Sequence, residues 1–266
     1  MRKINGNDQI IDQMITGDNE IIFNLISLIR NDINALILTD DKSYIVAQSN
    51  SSTPVWIYIN DKADEVTEKE LYNILFDLIE KNRNVHINVQ DGAIRNVFKK
   101  LSEDKKYTFL EYMPMNVYVC HKITKVEGSG KLVMPETKYK KRMAILMQQI
   151  TKDVENYDMT YKEANEIVDV FENSDFLFLW KDNDVVSMAR LAHKNARYAR
   201  INTVVTDRAY RGKGYAKMLV GEISERILAM GLIPMLYADA RNTSSNSTYQ
   251  KIGYEKVGEI MEFEVR

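Results

Sequence analysis

The chain has 266 residues, 45% of them apolar and 28% charged, with 36 basic and 38 acidic side chains and a formal net charge of −2. That length suits one large domain or two modest ones with a real core, and the charge balance excludes bulk attraction to nucleic acid or an anionic membrane. A single cysteine, Cys120, excludes an intramolecular disulfide, and the scattered His86, His121 and His193 lack metal-ligand spacing, so no metal is expected.

Helical patterning opens the chain over residues 8–30. Residues 35–39, a turn at 40–42 and residues 43–48 predict a strand pair, and residues 55–60 a third strand. Residues 68–82 predict a helix with Leu71, Leu75, Leu78 and Ile79 on one face. A strand at 85–90, a helix at 92–101 and extended chain at 107–121 follow. Residues 125–131 (Lys-Val-Glu-Gly-Ser-Gly-Lys) combine turn and linker residues without a period, which predicts a boundary between domains 1–124 and 131–266.

The second half opens with helical patterns at 136–156 and 160–173, the latter with Thr160 and Glu163 spaced as a capping box. Residues 176–180, a turn at 181–184, residues 185–193 and residues 197–206 predict three strands. After a glycine-containing loop, a helix runs to Met230 with Tyr215, Leu219, Ile223 and Ile227 on one face, and Gly231 ends it. A strand at 234–240, a short helix at 243–252 stopped by Gly253 and a last strand at 254–265 complete the chain. Order and spacing echo the first half, which predicts a duplicated module of mixed α/β class. No apolar signal region or run of roughly 18 apolar residues is present, so a cytoplasmic protein without a membrane span is expected.

The most informative residues are Arg211-Gly212-Lys213-Gly214-Tyr215-Ala216, which join a strand to an amphipathic helix. Glycine lets backbone approach a ligand closely, and a helix beginning there presents unpaired N–H groups and a positive dipole end. Such a junction suits a pyrophosphate, with Arg211 and Lys213 adding positive charge.

The loop matches an Arg/Gln-x-x-Gly-x-Gly/Ala pattern, and about 30 residues later come Asn242, Tyr249 seven residues on, and the pair Gly253-Tyr254. With these two motifs, residues 131–266 resemble the GNAT superfamily of acetyltransferases. The resemblance implies two GNAT-like modules, each a mostly antiparallel mixed sheet flanked by helices. It implies that Arg211, Gly212, Lys213, Gly214, Tyr215 and Ala216 hold the pyrophosphate of the co-substrate acetyl-CoA. Backbone of Val204, Val205 and Thr206 would lie beside the pantetheine arm, where the sheet splays. Asn242 would contact pantetheine or serve as a helix N-cap, and Tyr249 falls on the family's general acid.

The general base is less legible. A primary amine with a pKa near ~10.4 must lose a proton at a cost of roughly 4–5 kcal/mol at neutral pH, and residues 197–206 contain no acid. Asp207 is expected to face solvent. Asp239 ranks first, His193 is a weaker candidate, and a water chain could replace both. The lysine-rich stretch 138–142 reads as a solvated helix face, the alternative being that it helps hold the coenzyme's 3′-phosphate or another anion.

Residues 61–68, matching the glycine loop in the first half, have no glycine and contain Asp61, Asp64, Glu65 and Glu68, which would repel a pyrophosphate. Phe98 stands at the position of Tyr249 and has no proton to give. The first copy is therefore expected to be degenerate, with a structural or substrate-cleft role.

The resemblance implies an N-acetyltransferase acting on a primary amine of a small molecule or peptide by direct attack, with Tyr249 as acid and no covalent acetyl-enzyme. The alternatives are an acetyl-CoA-binding regulatory module without turnover, or an acyl or aminoacyl transferase on another acceptor. A monomer or homodimer without nucleic-acid or membrane partners is expected.

Overall fold

The computed structural model describes residues 1–90, 92, 94–124, 126–171 and 176–266. Lys125 at the start of the expected linker, Ala93 within the helix expected from Gly92, and the expected helix end at Asn173 lie outside the described residues. Contacts group the chain into two compact units, one of Met1–Val117, Ala238–Asn242 and Lys256–Arg266, the other of Tyr118–Tyr237 and Thr243–Glu255.

The first half runs β1 (Arg2–Lys3), α1 (Ile10–Met14), α2 (Asn19–Ile22), α3 (Asn24–Ile29), β2 (Leu36–Thr39), β3 (Tyr44–Gln48), β4 (Val55–Ile59), α4 (Glu65–Lys81), β5 (His86–Val89), α5 (Arg95–Lys105) and β6 (Phe109–Val119). The helical opening is three short helices, not one. Gly17, at φ +61°, takes a left-handed turn between α1 and α2 that interrupts helical propagation. β2, β3 and β4 are antiparallel, and after α4 the chain returns with β5 parallel to β4, Val55 facing Ile87. The apolar face of α4 (Leu71, Leu75, Leu78 and Ile79) packs in one core with Val46, Ile57, Ile87, Val97 and Leu101.

The second half runs β7 (Lys131–Val133), α6 (Lys140–Glu155), α7 (Tyr161–Phe171), β8 (Leu177–Asp182), β9 (Asp184–Lys194), β10 (Tyr198–Thr206), α8 (Tyr215–Ala229), β11 (Ile233–Asp239), α9 (Thr243–Ile252) and β12 (Glu255–Val265). β8, β9 and β10 are antiparallel, and after α8 the strand β11 begins parallel to β10. Each half thus repeats one plan: three antiparallel strands, a crossover helix, a parallel strand, a helix and a final strand. Both are mixed α/β modules, a largely antiparallel mixed sheet flanked by helices.

β12 is grouped with the first unit, where Met261 faces Val89 and Phe263 faces Ile87 on β5. Strand order is β1-β2-β3-β4-β5-β12-β6 in the first unit and β11-β10-β9-β8-β7 in the second. In the second unit, Met143, Ala144 and Leu146 of α6 and Ala164 and Val168 of α7 cover Leu177, Leu179, Val185, Met188 and Val205. The capping box at α7 is formed: Glu163 N–H donates to Thr160 Oγ1 at 3.2 Å and Thr160 N–H to Glu163 Oε2 at 2.7 Å.

The described part of the linker is packed chain. A Cβ on Gly128 would fall 2.0 Å from Met218 Sδ, and Trp180 Nε1–H donates to the Ser129 carbonyl at 2.9 Å. Among the described residues no helix is long and apolar enough to cross a membrane.

Candidate active site

β10 is irregular where it matters. Its ladder with β9 pairs Asn202 with Arg190 and then Val205 with Met188, so Thr203 and Val204 together oppose Ala189. This is a β-bulge, and Thr203 sits at φ +53°, an unfavourable conformation for a β-branched residue. Beyond the bulge Ser187 secures the strand: its hydroxyl donates to the Val205 carbonyl at 2.7 Å and lies 3.0 Å from Thr206 Oγ1. On the other edge, the parallel ladder with β11 runs from Tyr198–Ile233 to Arg200–Met235 and, among the described residues, no further. The two strands separate alongside the backbone of residues 202–206, including Val204, Val205 and Thr206. Backbone strain of this kind marks a place where function outweighs regularity.

The chain then enters the glycine loop. Gly212 (φ +79°) and Gly214 (φ +83°) are both left-handed, and a Cβ on either would meet no heavy atom within 4 Å. Gly214 caps α8 without a side-chain hydrogen bond. Among the described residues no acceptor takes the N–H groups of residues 212–217. A 15-residue helix therefore directs its positive end into open space. Lys213 is exposed with its ammonium 5.4 Å from the Tyr210 ring centroid, and Ala216 lies in the first turn. Tyr215 is buried, and its hydroxyl donates to the Asp182 carboxylate, which also accepts from the Ser129 hydroxyl.

Arg211 faces Asp153, which it shares with Arg208, and its Nε–H donates to the Thr206 carbonyl at 3.1 Å. Its guanidinium thus braces the loop from the α6 side. Asp207 differs from the expectation of a solvent-facing turn residue. It is buried, accepts from Ala209 N–H at 2.9 Å and pairs with Arg142 at 2.7 Å. Burial alone would raise its pKa, but those partners hold the carboxyl below its ordinary range. Arg142 also donates to the Val185 carbonyl at 2.9 and 3.0 Å, so this end of the basic stretch is a structural clasp, not a solvated face.

Tyr249 lies on α9 and is 8% exposed. Its ring packs 6.2 Å from Tyr118 and 6.0 Å from Tyr254, centroid to centroid. Its neighbours' hydroxyls are engaged: Tyr118 donates to Asn246 Oδ1 at 2.8 Å, and Tyr254 lies 2.7 Å from Ser224 Oγ. The Tyr249 hydroxyl, by contrast, has no hydrogen-bond partner among the described residues. Burial, with a smaller contribution from Tyr118, pushes its pKa up to about 12, so the proton stays on at neutral pH.

Asn242 precedes α9, and its N–H donates to the Asp239 carbonyl at 3.0 Å. The Asp239 carboxylate receives a two-pronged contact from Arg241, with Nε at 3.0 Å from Oδ1 and a terminal nitrogen at 3.0 Å from Oδ2. Arg241 N–H adds a third bond at 3.0 Å. A carboxylate held this way is a fixed corner of the turn before α9. Burial and the neighbouring Arg200 push the His193 pKa down, leaving a neutral imidazole at pH 7.

The matching junction in the first unit is closed. Asp64 caps α4, its carboxylate accepting from Thr67 N–H at 2.9 Å. Phe98 is buried and stacks on Phe109 with centroids 4.0 Å apart. The helix start there carries its own side-chain cap, and Phe98 has no proton to give.

Reading the chain alone missed the Thr203 bulge, the Arg142–Asp207 clasp and two arginines, Arg190 and Arg200, inside otherwise apolar strands. The arginines left a signal, since a charge at a sheet-facing position calls for a partner or a purpose.

A family model described as the acetyltransferase (GNAT) family matches residues 142–254. Mycothiol acetyltransferase of Corynebacterium glutamicum is 31% identical over 87 residues, which cover 32% of this chain and 30% of that relative; the likeness thus spans about a third of the relative's length. Among solved structures, a GCN5-related N-acetyltransferase from Sphaerobacter thermophilus matches with a TM-score of 0.68 at 12% identity, covering 100% of this chain and 94% of that one. A tandem GNAT protein from the clavulanic acid biosynthesis pathway matches with a TM-score of 0.56 at 11% identity, covering 99% of this chain and 97% of that one. At such identities these structures show likeness of fold. Over residues 142–254 this chain is thus similar to the acetyltransferase (GNAT) family.

Proposed function

We propose that the protein is an N-acetyltransferase that moves the acetyl group of acetyl-CoA to a primary amine of a small molecule or peptide. The observation that carries this reading is the uncapped start of α8, where the N–H groups of residues 212–217 lack acceptors among the described residues, behind two left-handed glycines. A diphosphate fits such a site by charge and by hydrogen-bonding capacity. Backbone of Val204, Val205 and Thr206, on the separated edge of β10, is available to a pantetheine arm added as an extra strand. Asn242, at the head of α9, is the polar side chain we assign to that arm.

Acetyl-CoA supplies the activated acyl group. The chain's own part is to hold it, to exclude water and to manage two protons. The amine attacks the acetyl carbon, the carbon–sulfur bond breaks, and the Tyr249 hydroxyl donates its proton to the departing sulfur. The amine's proton goes to Asp239, to His193 or to water. Asp239 is held by Arg241, and burial leaves the His193 imidazole neutral at pH 7.

The first unit is read as a degenerate copy with a structural role, since Asp64 fills its helix end and Phe98 replaces the phenol.

Release of coenzyme A thiol, followed with a panel of primary amines, tests the activity. Turnover that falls by about 10²–10⁴ in Tyr249→Phe, with acetyl-CoA binding retained, supports the assignment. Tight acetyl-CoA binding without turnover of any amine favours a sensing module, and transfer confined to longer acyl or aminoacyl donors favours the wider transferase reading.

A further inference from the structure

Two arginines of the second unit lie on one face of its sheet without a counter-charge among the described residues. Arg190 on β9 stands directly opposite Asn202 on β10, and Arg200 on β10 stands opposite His193 on β9. Residues 200 and 202 share a face by strand alternation, and a register shift between Arg200 and Ile201 lets His193 and Arg190, three apart on β9, oppose them from that same side. Arg190 is also opposite Leu177, and Met188 opposite Leu179; these three apolar residues pack against α6 and α7. The arginines therefore rise on the helix-covered side, next to the bulge where β10 leaves its regular ladder.

Aromatic rings lie beside both guanidinium groups. The Arg190 guanidinium lies 4.5 Å from the Phe171 ring centroid, and that of Arg200 lies 5.9 Å from the Tyr237 centroid. Both Nε atoms are buried without an acceptor. Among the described residues neither guanidinium forms an ion pair or hydrogen bond. Burial lowers the pKa of both, and for Arg200 the neighbouring Arg190 adds to it. Elsewhere in this unit the partly buried Arg142 has a carboxylate, Asp207, at 2.7 Å. Keeping two like charges in an apolar setting without a carboxylate is unfavourable for the fold alone.

We propose that Arg190 and Arg200 receive a carboxylate on the acceptor, so that the amine acetylated by this protein belongs to an amino acid or a peptide carrying its own carboxylate. The proposal rests on the acetyl-transfer reading above and adds the substrate class. The planar forks of two arginines match two carboxylate oxygens in geometry and charge. The site faces the bulge at Thr203, so an acceptor anchored by its acid is oriented with its amine toward the strand edge where the acyl group would lie. Phe171 and Tyr237 exclude water and strengthen the charge pairing.

The test uses the full chain loaded with acetyl-CoA, as wild type, Arg190→Gln and Arg200→Gln. Acceptors are offered in pairs: L-amino acids and dipeptides against their C-terminal amides, and phosphoethanolamine against ethanolamine. The wild type is expected to favour the carboxylates through KM, and each arginine variant to lose on the order of 30-fold in kcat/KM for them. Rates on the amides should stay level in Arg190→Gln, which a merely structural role would not produce; in Arg200→Gln, whose guanidinium acts on His193, the acid-to-amide ratio is read instead. If no member is turned over, thermal stabilisation of the loaded protein by millimolar carboxylate probes decides.

Equal treatment of acids and amides, equal losses on both in the variants, preference for the phosphate member or absence of stabilisation by every carboxylate would each overturn the proposal. Should a glutamine variant fail to fold, Arg190→Met and Arg200→Met replace it, because removing an unpaired charge into an apolar setting is tolerated. Calorimetry of acetyl-CoA alone is read separately: its failure in the wild type defeats the acetyl-transfer reading, whereas success there with no carboxylate preference defeats only the acceptor assignment.

Discussion

The Asp64 carboxylate accepts the Thr67 N–H at 2.9 Å and closes the start of α4 with the chain's own negative charge. At the equivalent junction of the second unit, Gly214 leaves the start of α8 without a side-chain cap. The two halves share a topology and differ in what their crossover helices can hold. Replacing Asp64 by Ala should lower stability modestly, through loss of the N-cap. Chemical denaturation measures that loss, and acetyl-CoA affinity should not change.

Asp207 and Arg142 form a second, stronger dependence. Arg142→Met leaves a buried carboxylate without its guanidinium and should cost about 2–4 kcal/mol. The pH dependence follows from the direction of the shift. Asp207 has a folded pKa below its unfolded one, so its stabilisation is fully present above the unfolded value near ~3.9 and is lost as pH falls through the folded value. Acid titration of stability should be steeper in the wild type than in Asp207→Asn below about pH 4.

Tyr249→Phe removes a hydroxyl that bonds to nothing among the described residues, so the fold should tolerate it. The folded pKa of about 12 lies above the ordinary 10, which makes the folded state hold the proton more tightly than the unfolded chain does. The associated stability is present below pH 10 and is lost as pH rises toward 12, up to about 2–3 kcal/mol. Wild-type protein should therefore lose stability faster than Tyr249→Phe over that range, as followed by denaturation at stepped pH.

Asp239→Asn separates a corner staple from a proton acceptor. Because Arg241 already neutralises the carboxylate, transfer should fall less than about tenfold, against the 10²–10⁴ expected for loss of a general base. His193→Gln, assayed beside it, should give the larger loss.

Much of the architecture was legible because it follows from local periodicity. Leu71, Leu75 and Ile79 on one face declare α4, and Gly231 and Gly253 punctuate α8 and α9 where expected. The glycine loop was legible for the same reason: glycine's freedom is a property of the residue itself. Features set by distant partners were not. Asp207 looked exposed because Arg142 lies 65 residues away. The bulge at Thr203 depends on the register with β9, which no pattern within residues 197–206 reveals. The same register brings Arg190 opposite Asn202 and so turns isolated charges into a candidate subsite. β12 reads as an ordinary last strand, yet it pairs with β5 across a separation no local signal could announce.

The central claim is that the open start of α8 grips a diphosphate. Gly214 is at φ +83°, and a Cβ there meets nothing in the free protein, so Gly214→Val should cost only the left-handed strain of about 1–2 kcal/mol while obstructing a ligand's approach. Calorimetric titration of acetyl-CoA into wild type and Gly214→Val, with folding checked in both, is the most direct measurement. One-site binding by the wild type and a loss of at least about tenfold in the folded variant is the predicted result. No binding by the wild type, or equal binding by both, would contradict it.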